Sequence, residues 1–328
     1  MTPSITASAV KAAIAAIESE SATVEEKIEM LIEMATGFQQ KPKSWQQLQD
    51  AVTLYQYAIA LCAGGHPLLK ARAMVGMGTA LRAIPGEGPD LLLQAQTAYE
   101  TALPILQEFA SPEEVAEVKL NLGLVLQSLV PFQLAKMGDS IQLYQQALRV
   151  FTWQAYPQEY AILHNNIAIA YLSMPLASDR ESLRQGLAVQ SFEEALKHIS
   201  LIEHPSEYAM LQNNLGNALQ YLPSSHPVEN NLRAIAAYDE ALKVRNSKDT
   251  PLEYAHTISN KANALFNVPD DPENPDAGNP QNLLLAQTYY QEAEEIFIRF
   301  GQQEQAQMVR QVLQEIEEEL MHHSPGIQ

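Results

Sequence analysis

Asparagine recurs at equivalent places in several stretches of the sequence. Asn166, Asn214 and Asn260 share one position when segments 159–171, 207–219 and 253–265 are aligned without gaps, and Asn121 holds it in a degraded fourth copy. A primary amide offers two hydrogen-bond donors and an oxygen with two lone pairs, which suits bidentate contacts with a peptide backbone. A row of such amides would hold an extended or helical segment without requiring one sequence. The alternative is that these amides bond to a neighbouring repeat and fix its packing, because buried amides need partners.

Other residue types that carry chemistry form no convergent set. The sequence has no Gly-rich phosphate loop, no serine-nucleophile turn and no His-Glu-x-x-His helix. Cys62 is the one cysteine, and its place at the end of a helical pattern indicates a buried structural thiol. The acidic segment 270–276 lacks the ligand spacing of a calcium loop and is interpreted as a solvated turn. We therefore expect no enzyme activity, no metal and no cofactor.

Charge and composition narrow the classes of partner. The 328 residues include 20 Lys and Arg against 39 Asp and Glu, a formal charge of −19, and 46% are apolar. That apolar fraction excludes whole-chain disorder, and the acidic surface disfavours nucleic acid and anionic membranes. The same charge favours a protein or peptide partner that is neutral to basic. A single cysteine and the lack of a run of about 18 apolar residues predict a cytoplasmic protein.

The elements that must position these amides follow from a repeat. The motif Ala-x-x-x-(Tyr/Phe)-x-x-Ala-Leu recurs in exact or looser form, with aromatic positions 44 to 52 residues apart at Tyr55, Tyr99, Tyr144, Phe192, Tyr238 and Tyr290. Offsets of three and four place its members on one face of a helix. The alanines permit close approach, and the ring fills the space between two helices.

A second helical pattern precedes each copy of the motif. A proline opens most of these segments, at Pro67, Pro112, Pro157, Pro205 and Pro251, and Ser111 and Thr250 are expected to act as helix caps. Each segment also carries a small residue three positions before a large one, as in Gly216 and Leu219. The chain is therefore predicted to form antiparallel helix pairs, each of which leaves an apolar face that the next pair covers.

Both motifs closely resemble the tetratricopeptide repeat over about residues 24–300. The spacing of 44 to 52 exceeds the 34-residue unit of that family. We assign the extra residues to long polar turns inside each pair. Such a long-turn variant of the repeat is similar to cyanobacterial and related bacterial chains. The resemblance implies an all-α, right-handed superhelical solenoid of about six helix pairs with capping helices at both ends. It also implies a concave surface lined by the first helix of each pair.

The predicted domains follow from these repeats. Residues 1–23 are expected to form an N-terminal capping helix, 24–300 the repeat array, 301–321 a C-terminal capping helix and 322–328 a flexible tail. The pairs are expected at 24–62, 67–109, 112–152, 157–203, 205–245 and 251–300. In the last helix, the residues expected to face inward are Met308, Val312, Leu313, Ile316 and Leu320.

The resemblance further implies which side chains line the concave surface. They lie at positions two, five, six and nine of the first-helix motif. The candidate partner-binding residues are Arg72, Asn121, Ile162, Asn165, Asn166, Met210, Asn213, Asn214, Asn217, His256, Asn260 and Asn263. The family members that clamp carboxylate tails of chaperones use Lys or Arg at several of these positions, and here Arg72 alone matches. That specificity is therefore not expected.

Three functions remain open from the sequence. The first is a non-catalytic scaffold or adaptor that binds a peptide segment or protein domain in the concave groove. The second is a regulatory sensor that binds a small molecule or signalling peptide. The third is a structural module for self-assembly. The sequence identifies neither the partner nor the oligomeric state.

Overall fold

The structure is a computed structural model that describes residues 5–174, 181–222, 226–274 and 278–323. Within those ranges every element of regular secondary structure is a helix. The chain divides into two compact units, residues 1–151 and 152–328, which are described separately. Each unit is an all-α solenoid in which helices pack in the order of the sequence, so the fold class expected from the repeat is confirmed.

The first unit consists of α1 and three helix pairs. Its α-helices are α1 (Ile5–Ser19), α2 (Val24–Gln40), α3 (Trp45–Leu61), α4 (Pro67–Ala83), α5 (Asp90–Phe109), α6 (Pro112–Leu129) and α7 (Met137–Ala147). Short 3₁₀ turns at Cys62–Gly64 and Val130–Phe132 extend α3 and α6. The pairs are α2 with α3, α4 with α5, and α6 with α7.

The second unit also contains three pairs, followed by a final helix. Its α-helices are α8 (Pro157–Leu172), α9 (Glu181–Leu196), α10 (Pro205–Gln220), α11 (Pro227–Leu242), α12 (Pro251–Phe266), α13 (Pro280–Arg299) and α14 (Gln303–His323). The pairs are α8 with α9, α10 with α11, and α12 with α13, and α14 packs on α13. Helix α14 continues two residues past the predicted end of the cap, and residues 324–328 of the predicted tail lie outside the described residues.

Proline begins the first helix of five pairs, as the sequence predicts. It stands in the first turn of α4, α6, α8, α10 and α12, where its missing N–H leaves no hydrogen bond unmade. The hydroxyl of Ser111 caps α6 by accepting from Glu114 N at 3.3 Å. The expected cap at Thr250 is wrong. Its hydroxyl turns back instead to the preceding turn, where it accepts from Asn246 N at 3.0 Å.

The repeated aromatic side chains are the centres of the pairs. All six are buried, with 0 to 4% of the side chain exposed. In three pairs the ring of the second helix lies against a glycine of the first: Tyr99 on Gly78, Tyr144 on Gly123, and Tyr238 on Gly216. A β-carbon at Gly123 or Gly216 would lie 2.5 Å from the ring, so these positions require glycine.

The last helix differs from the prediction at one of its five inward residues. Leu313 and Ile316 are buried as expected, and Val312 and Leu320 are partly buried against the same core. Met308 is 61% exposed, and Val309 takes the inward position instead. The inward residues Ala306, Val309, Leu313 and Ile316 are spaced by three, four and three. Helix α12 has that same spacing at Ala255, Ile258, Ala262 and Leu265, so α14 uses the inward face of a first helix.

Among the described residues, one helix is long and apolar enough to cross a membrane by length and composition. It is Pro112–Phe132, with a mean hydropathy of 1.3. Helix α6 lies in this stretch, and its residues Val118, Leu122 and Val125 belong to the hydrophobic core of the first unit. Its apolar composition is explained by packing against α5 and α7.

Candidate functional site

Helices α8, α10 and α12 lie side by side in the second unit. They are the first helices of three consecutive pairs, and α10 contacts both of the others. Each begins with proline, and the motif residues that follow are in register. Residues at equivalent positions therefore form rows that run from one helix to the next.

The predicted asparagines form one continuous chain of hydrogen bonds across these three helices. Asn260 Nδ2 donates to Asn213 Oδ1 at 3.4 Å, and Asn213 Nδ2 donates to Asn214 Oδ1 at 3.0 Å. Asn214 Nδ2 then donates to Asn165 Oδ1 at 2.7 Å, and Asn165 Nδ2 donates to Asn166 Oδ1 at 3.5 Å. Every bond runs in the same direction, from α12 through α10 to α8. We call these five residues the amide chain.

Most of the amide chain is buried. Asn165, Asn166 and Asn213 are 7 to 9% exposed, and Asn214 and Asn260 are half-buried. The chain uses one donor and one acceptor of each interior amide, which leaves the other N–H and lone pair of the half-buried members for further contacts. At its α8 end, Asn166 Nδ2 is buried without a hydrogen-bond partner in the described structure.

A second network explains Asn217 and Asn263. The hydroxyl of Tyr238 donates to Asn217 Oδ1 at 2.7 Å, and Gln220 Nε2 donates to the same hydroxyl at 2.5 Å. Asn263 Nδ2 donates to Gln220 Oε1 at 2.8 Å. In the first unit, Thr79 lies one residue after its glycine, as Asn217 does, and bonds the Tyr99 hydroxyl at 2.8 Å. Asn217 therefore has a packing role that recurs in the repeat.

The remaining predicted residues of the second unit are uncharged or weakly basic. Ile162 is 37% exposed and Met210 is half-buried. His256 reaches solvent, but its ring is partly covered because it lies 4.9 Å from the ring of Phe297. Burial lowers the pKa of His256, and the charge of Arg245 lowers it further. The set as a whole therefore presents amides and apolar groups without a carboxylate.

Two predicted residues, Arg72 and Asn121, belong to the first unit. The guanidinium of Arg72 makes two hydrogen bonds of 2.8 and 2.9 Å with Glu114, and this partner lowers the pKa of that carboxyl group. Arg72 is therefore paired within the repeat array. Asn121 is half-buried, and its side chain makes no hydrogen bond with any described residue.

The side chains of His164 and Ser191 are close enough to raise the question of a serine nucleophile. His164 Nδ1 lies 3.1 Å from Ser191 Oγ, and Ser191 Oγ donates its hydrogen to the backbone oxygen of His164 at 3.0 Å. The hydroxyl therefore accepts from the Nδ1–H of the imidazole, which is the reverse of the polarity that a serine nucleophile needs. Ser191 is also only 8% exposed. This pair is a packing contact between α8 and α9.

The acidic turn before α13 caps the N-terminus of that helix. The carboxylate of Asp270 accepts from the backbone N–H groups of Gln281 and Asn282, each at 2.8 Å, and so caps the start of α13. Residues 275–277 of this turn lie outside the described residues. Across the part of the chain that the structure describes, no group of three His, Cys, Asp or Glu side chains is arranged to hold a metal ion.

Sequence reasoning missed Gln220 and Tyr238 as members of the second network. The sequence contains a pattern that could have identified them. Gln127 and Gln220 each lie four residues after the glycine on which the tyrosine ring packs. Gln127 Oε1 accepts from the Tyr144 hydroxyl at 3.0 Å, as Gln220 contacts Tyr238. A polar residue at that offset thus accompanies a tyrosine in the second helix.

Comparisons with known proteins agree with this architecture. No family model matches the chain, and no curated protein matches it. Among solved structures, a signal-transduction ATPase with a tetratricopeptide repeat sensor from Pyrococcus horikoshii is 16% identical, with a TM-score of 0.57. The match covers 92% of this chain and 42% of that one, so this chain spans less than half of the ATPase's length.

Two further solved structures are similar at lower scores. BtubC from P. vanneervenii is 20% identical over 72% of this chain and 91% of its own, with a TM-score of 0.47. A Rap protein complexed with Competence and Sporulation Factor is 12% identical over 97% and 98%, with a TM-score of 0.44. The motifs, the helix pairs and the similarity to the ATPase together identify the fold as a tetratricopeptide-like helical repeat.

Proposed function

We propose that the protein is a non-catalytic scaffold or adaptor that binds a peptide segment or protein domain on the face of α8, α10 and α12. The observation that carries the proposal is the amide chain, which orders five asparagine side chains in one direction across three helices. Ordered amides lose little side-chain freedom when they bind, which favours affinity. We also propose that it acts in the cytoplasm, as the single cysteine suggests.

The lining supports a segment held through its backbone. The half-buried Asn214 keeps one N–H and one lone pair, and the half-buried Asn260 keeps one N–H and both lone pairs of its oxygen, so each offers the donor and acceptor that match a peptide unit. Ile162 and Met210 offer apolar contact beside them. The second unit has 24 acidic and 10 basic residues, which favours the approach of a neutral to basic partner.

The test selects peptides from a displayed random dodecapeptide library on the purified protein and measures the affinity of an enriched synthetic peptide by calorimetry. The variant Ile162→Ala with Met210→Ala removes the apolar contacts of the lining and leaves the amide chain intact. We expect it to weaken binding by at least about tenfold, which corresponds to about 1.4 kcal/mol.

The matched control is Leu232→Ala on α11, a truncation of an apolar residue that is 40% exposed. It should bind within about twofold of the wild type, since a tenfold loss is about 1.4 kcal/mol. Failure of any peptide to enrich, or equal affinity for the wild type and the double variant, would overturn the proposal.

A small-molecule sensor is a second candidate because of a cavity in the first unit. The cavity has a volume of about 380 Å³ and lies between α3, α4 and α5. Its lining includes the apolar Met74, Met77 and Leu81, with the amides of Gln56 and Gln94. Titration with 1-hexanol should shift the methyl NMR signals of Met74 and Met77 and leave that of Met34 unchanged. Unshifted signals would remove this candidate.

A further inference from the structure

Helix α14 repeats the geometry of a first helix, beyond its role as a cap. Its four inward residues lie 51 positions after those of α12, and Gly301 joins it to α13 with a φ of +73°. Gln302 N donates to Phe297 O and Gly301 N to Ile298 O, the paired bonds of a glycine helix stop. At the position where complete pairs have Gly or Ala, α14 has Leu313, whose side chain fills the space that the aromatic ring occupies in those pairs.

The same offset assigns groove positions to α14. Positions 256, 259, 260 and 263 of α12 correspond to Gln307, Arg310, Gln311 and Gln314. All four are exposed, and they line a polar cavity of about 340 Å³ together with Gln303 and Ala306. In this register, the position that carries asparagine in α8, α10 and α12 carries glutamine in α14.

These glutamines differ from the asparagines in one respect that matters for binding. The asparagine side chains are bonded to one another, to Gln220 or to Tyr238. Gln307, Gln311 and Gln314 make no side-chain hydrogen bond to any residue that the structure describes, so both ends of each amide remain available.

The charges on α14 border this surface. Arg310 Nε and Nη2 both donate to Glu294 Oε1, at 2.8 and 2.6 Å, which neutralises the one cation of the row. Glu294 stands where four other copies of the motif have leucine, so the pair is particular to this end of the chain. Exposed carboxylates flank the glutamines on both sides, at Glu304 in the first turn of α14 and at Glu315, Glu317 and Glu318 after Gln314.

We propose that Gln307, Gln311 and Gln314 of α14 are direct contacts for the partner, and that they bind an extended, neutral to basic polypeptide segment. The free amides bond its backbone, and basic side chains beyond the contact reach the carboxylates of Glu315, Glu317 and Glu318. This rests on the proposed function and adds a subsite to it. The charge arrangement selects such a segment, because a neutral row bordered by carboxylates repels an acidic one.

The experiment uses the full chain and a synthetic peptide enriched on the wild type from the dodecapeptide library. The variant Gln307→Ala, Gln311→Ala, Gln314→Ala removes the amides, and its melting temperature should match that of the wild type because the residues are exposed. We expect a loss of affinity of at least about tenfold, or 1.4 kcal/mol. The control Gln281→Ala, Gln291→Ala removes two exposed glutamines of α13 and should change affinity by less than twofold.

A second measurement reads the contact directly. The side-chain NH₂ resonances of Gln311 and Gln314 should shift when the peptide is added to ¹⁵N-labelled protein, and that of Gln291 should not. A peptide that binds the wild type and the triple variant equally, with unshifted resonances, would overturn this inference and leave the proposed function standing. If no peptide enriches on the wild type, the proposed function fails and this inference fails with it.

Discussion

The side-chain amide of Asn214 donates to Oδ1 of Asn165 at 2.7 Å and so joins the first helices of two consecutive pairs. Asn165 is 7% exposed, so water has little access to its amide oxygen, and Asn214 supplies the hydrogen bond that this oxygen needs. The bond is also the third of the four hydrogen bonds of the amide chain. Any change at Asn214 therefore alters the packing of the second unit as well as the surface that it presents.

The first prediction concerns that link. Asn214→Ala should lower the free energy of unfolding by about 1–3 kcal/mol, because it leaves the buried oxygen of Asn165 without a donor. Urea denaturation followed by circular dichroism measures the effect. Asn121→Ala is the matched control, since Asn121 holds the equivalent place on α6 without a side-chain bond among described residues, and a surface-like cost of about 0.5 kcal/mol or less is expected. Equal losses of unfolding free energy for the two variants would contradict a stabilising role of the bond between Asn214 and Asn165.

The second prediction concerns the glycines beneath the repeated rings. Gly216→Ala would place a β-carbon 2.5 Å from Tyr238 Cε1, so we expect a loss of stability of about 1–3 kcal/mol from overpacking. Gly37→Ala is the matched control on α2, where a β-carbon meets no atom within 4 Å. It should stabilise the protein by about 0.5–1 kcal/mol, because alanine is the better helix former.

The sign of the change in stability shows whether Gly216 is needed for contact with the ring or only for helix flexibility. If Gly216 served only to make the helix flexible, both alanine variants would stabilise the protein in thermal denaturation. A loss at Gly216 together with a gain at Gly37 follows only from the contact with the ring.

The repeat could be predicted from sequence because its signal is local. Tyr99 and Tyr238 lie at fixed offsets from alanines on the same helix, so one segment alone shows that the ring faces the core. The proline that starts the first helix of five pairs is equally local. These features depend on neighbours three or four residues away, and the structure confirms them.

The bonding of the asparagines could not be predicted in the same way. Whether Asn213 meets Asn260 or a ligand depends on the distance between two helices 47 residues apart, which no local pattern encodes. The predictions for Thr250 and Met308 were wrong for other reasons. The hydroxyl of Thr250 had a nearer partner in Asn246, and the inward face of α14 is rotated so that Val309 replaces Met308.

The third prediction concerns pH. Burial lowers the pKa of His164, the nearby His198 lowers it further, and Glu194 of α9 opposes both. The neighbouring helix α10 meets α8 through the uncharged Asn214. An unfolded histidine has a pKa of about 6.5, so below that pH the unfolded chain binds a proton that folded His164 resists. Stability should therefore fall as the pH drops through this range.

The measurement compares the wild type with His164→Gln, which has the residue found at the equivalent position of α10, Gln212. Between pH 7 and pH 5 the melting temperature of the variant should fall less than that of the wild type. His256, whose pKa burial also lowers, is present in both proteins and cancels in the difference. An imidazole NMR titration that places the midpoint of His164 above 6.5 would refute the argument.

The fourth prediction concerns the pair that orients Arg310 on α14. Glu294 is only 19% exposed in its side chain, so Arg310→Ala leaves a largely covered carboxylate without its cation. Water and salt screen the exposed arginine, and we expect a double-mutant coupling of about 0.5–1 kcal/mol. In a Glu294→Leu background, which restores the leucine of the motif, Arg310→Ala should lower the free energy of unfolding by less.

Arg233→Ala tests a more exposed pair, in which both side chains are nearly half exposed, and should lower the free energy of unfolding least. Equal costs of Arg310→Ala in both backgrounds would show that Arg310 acts without Glu294, because a partner's removal changes only an interaction that exists.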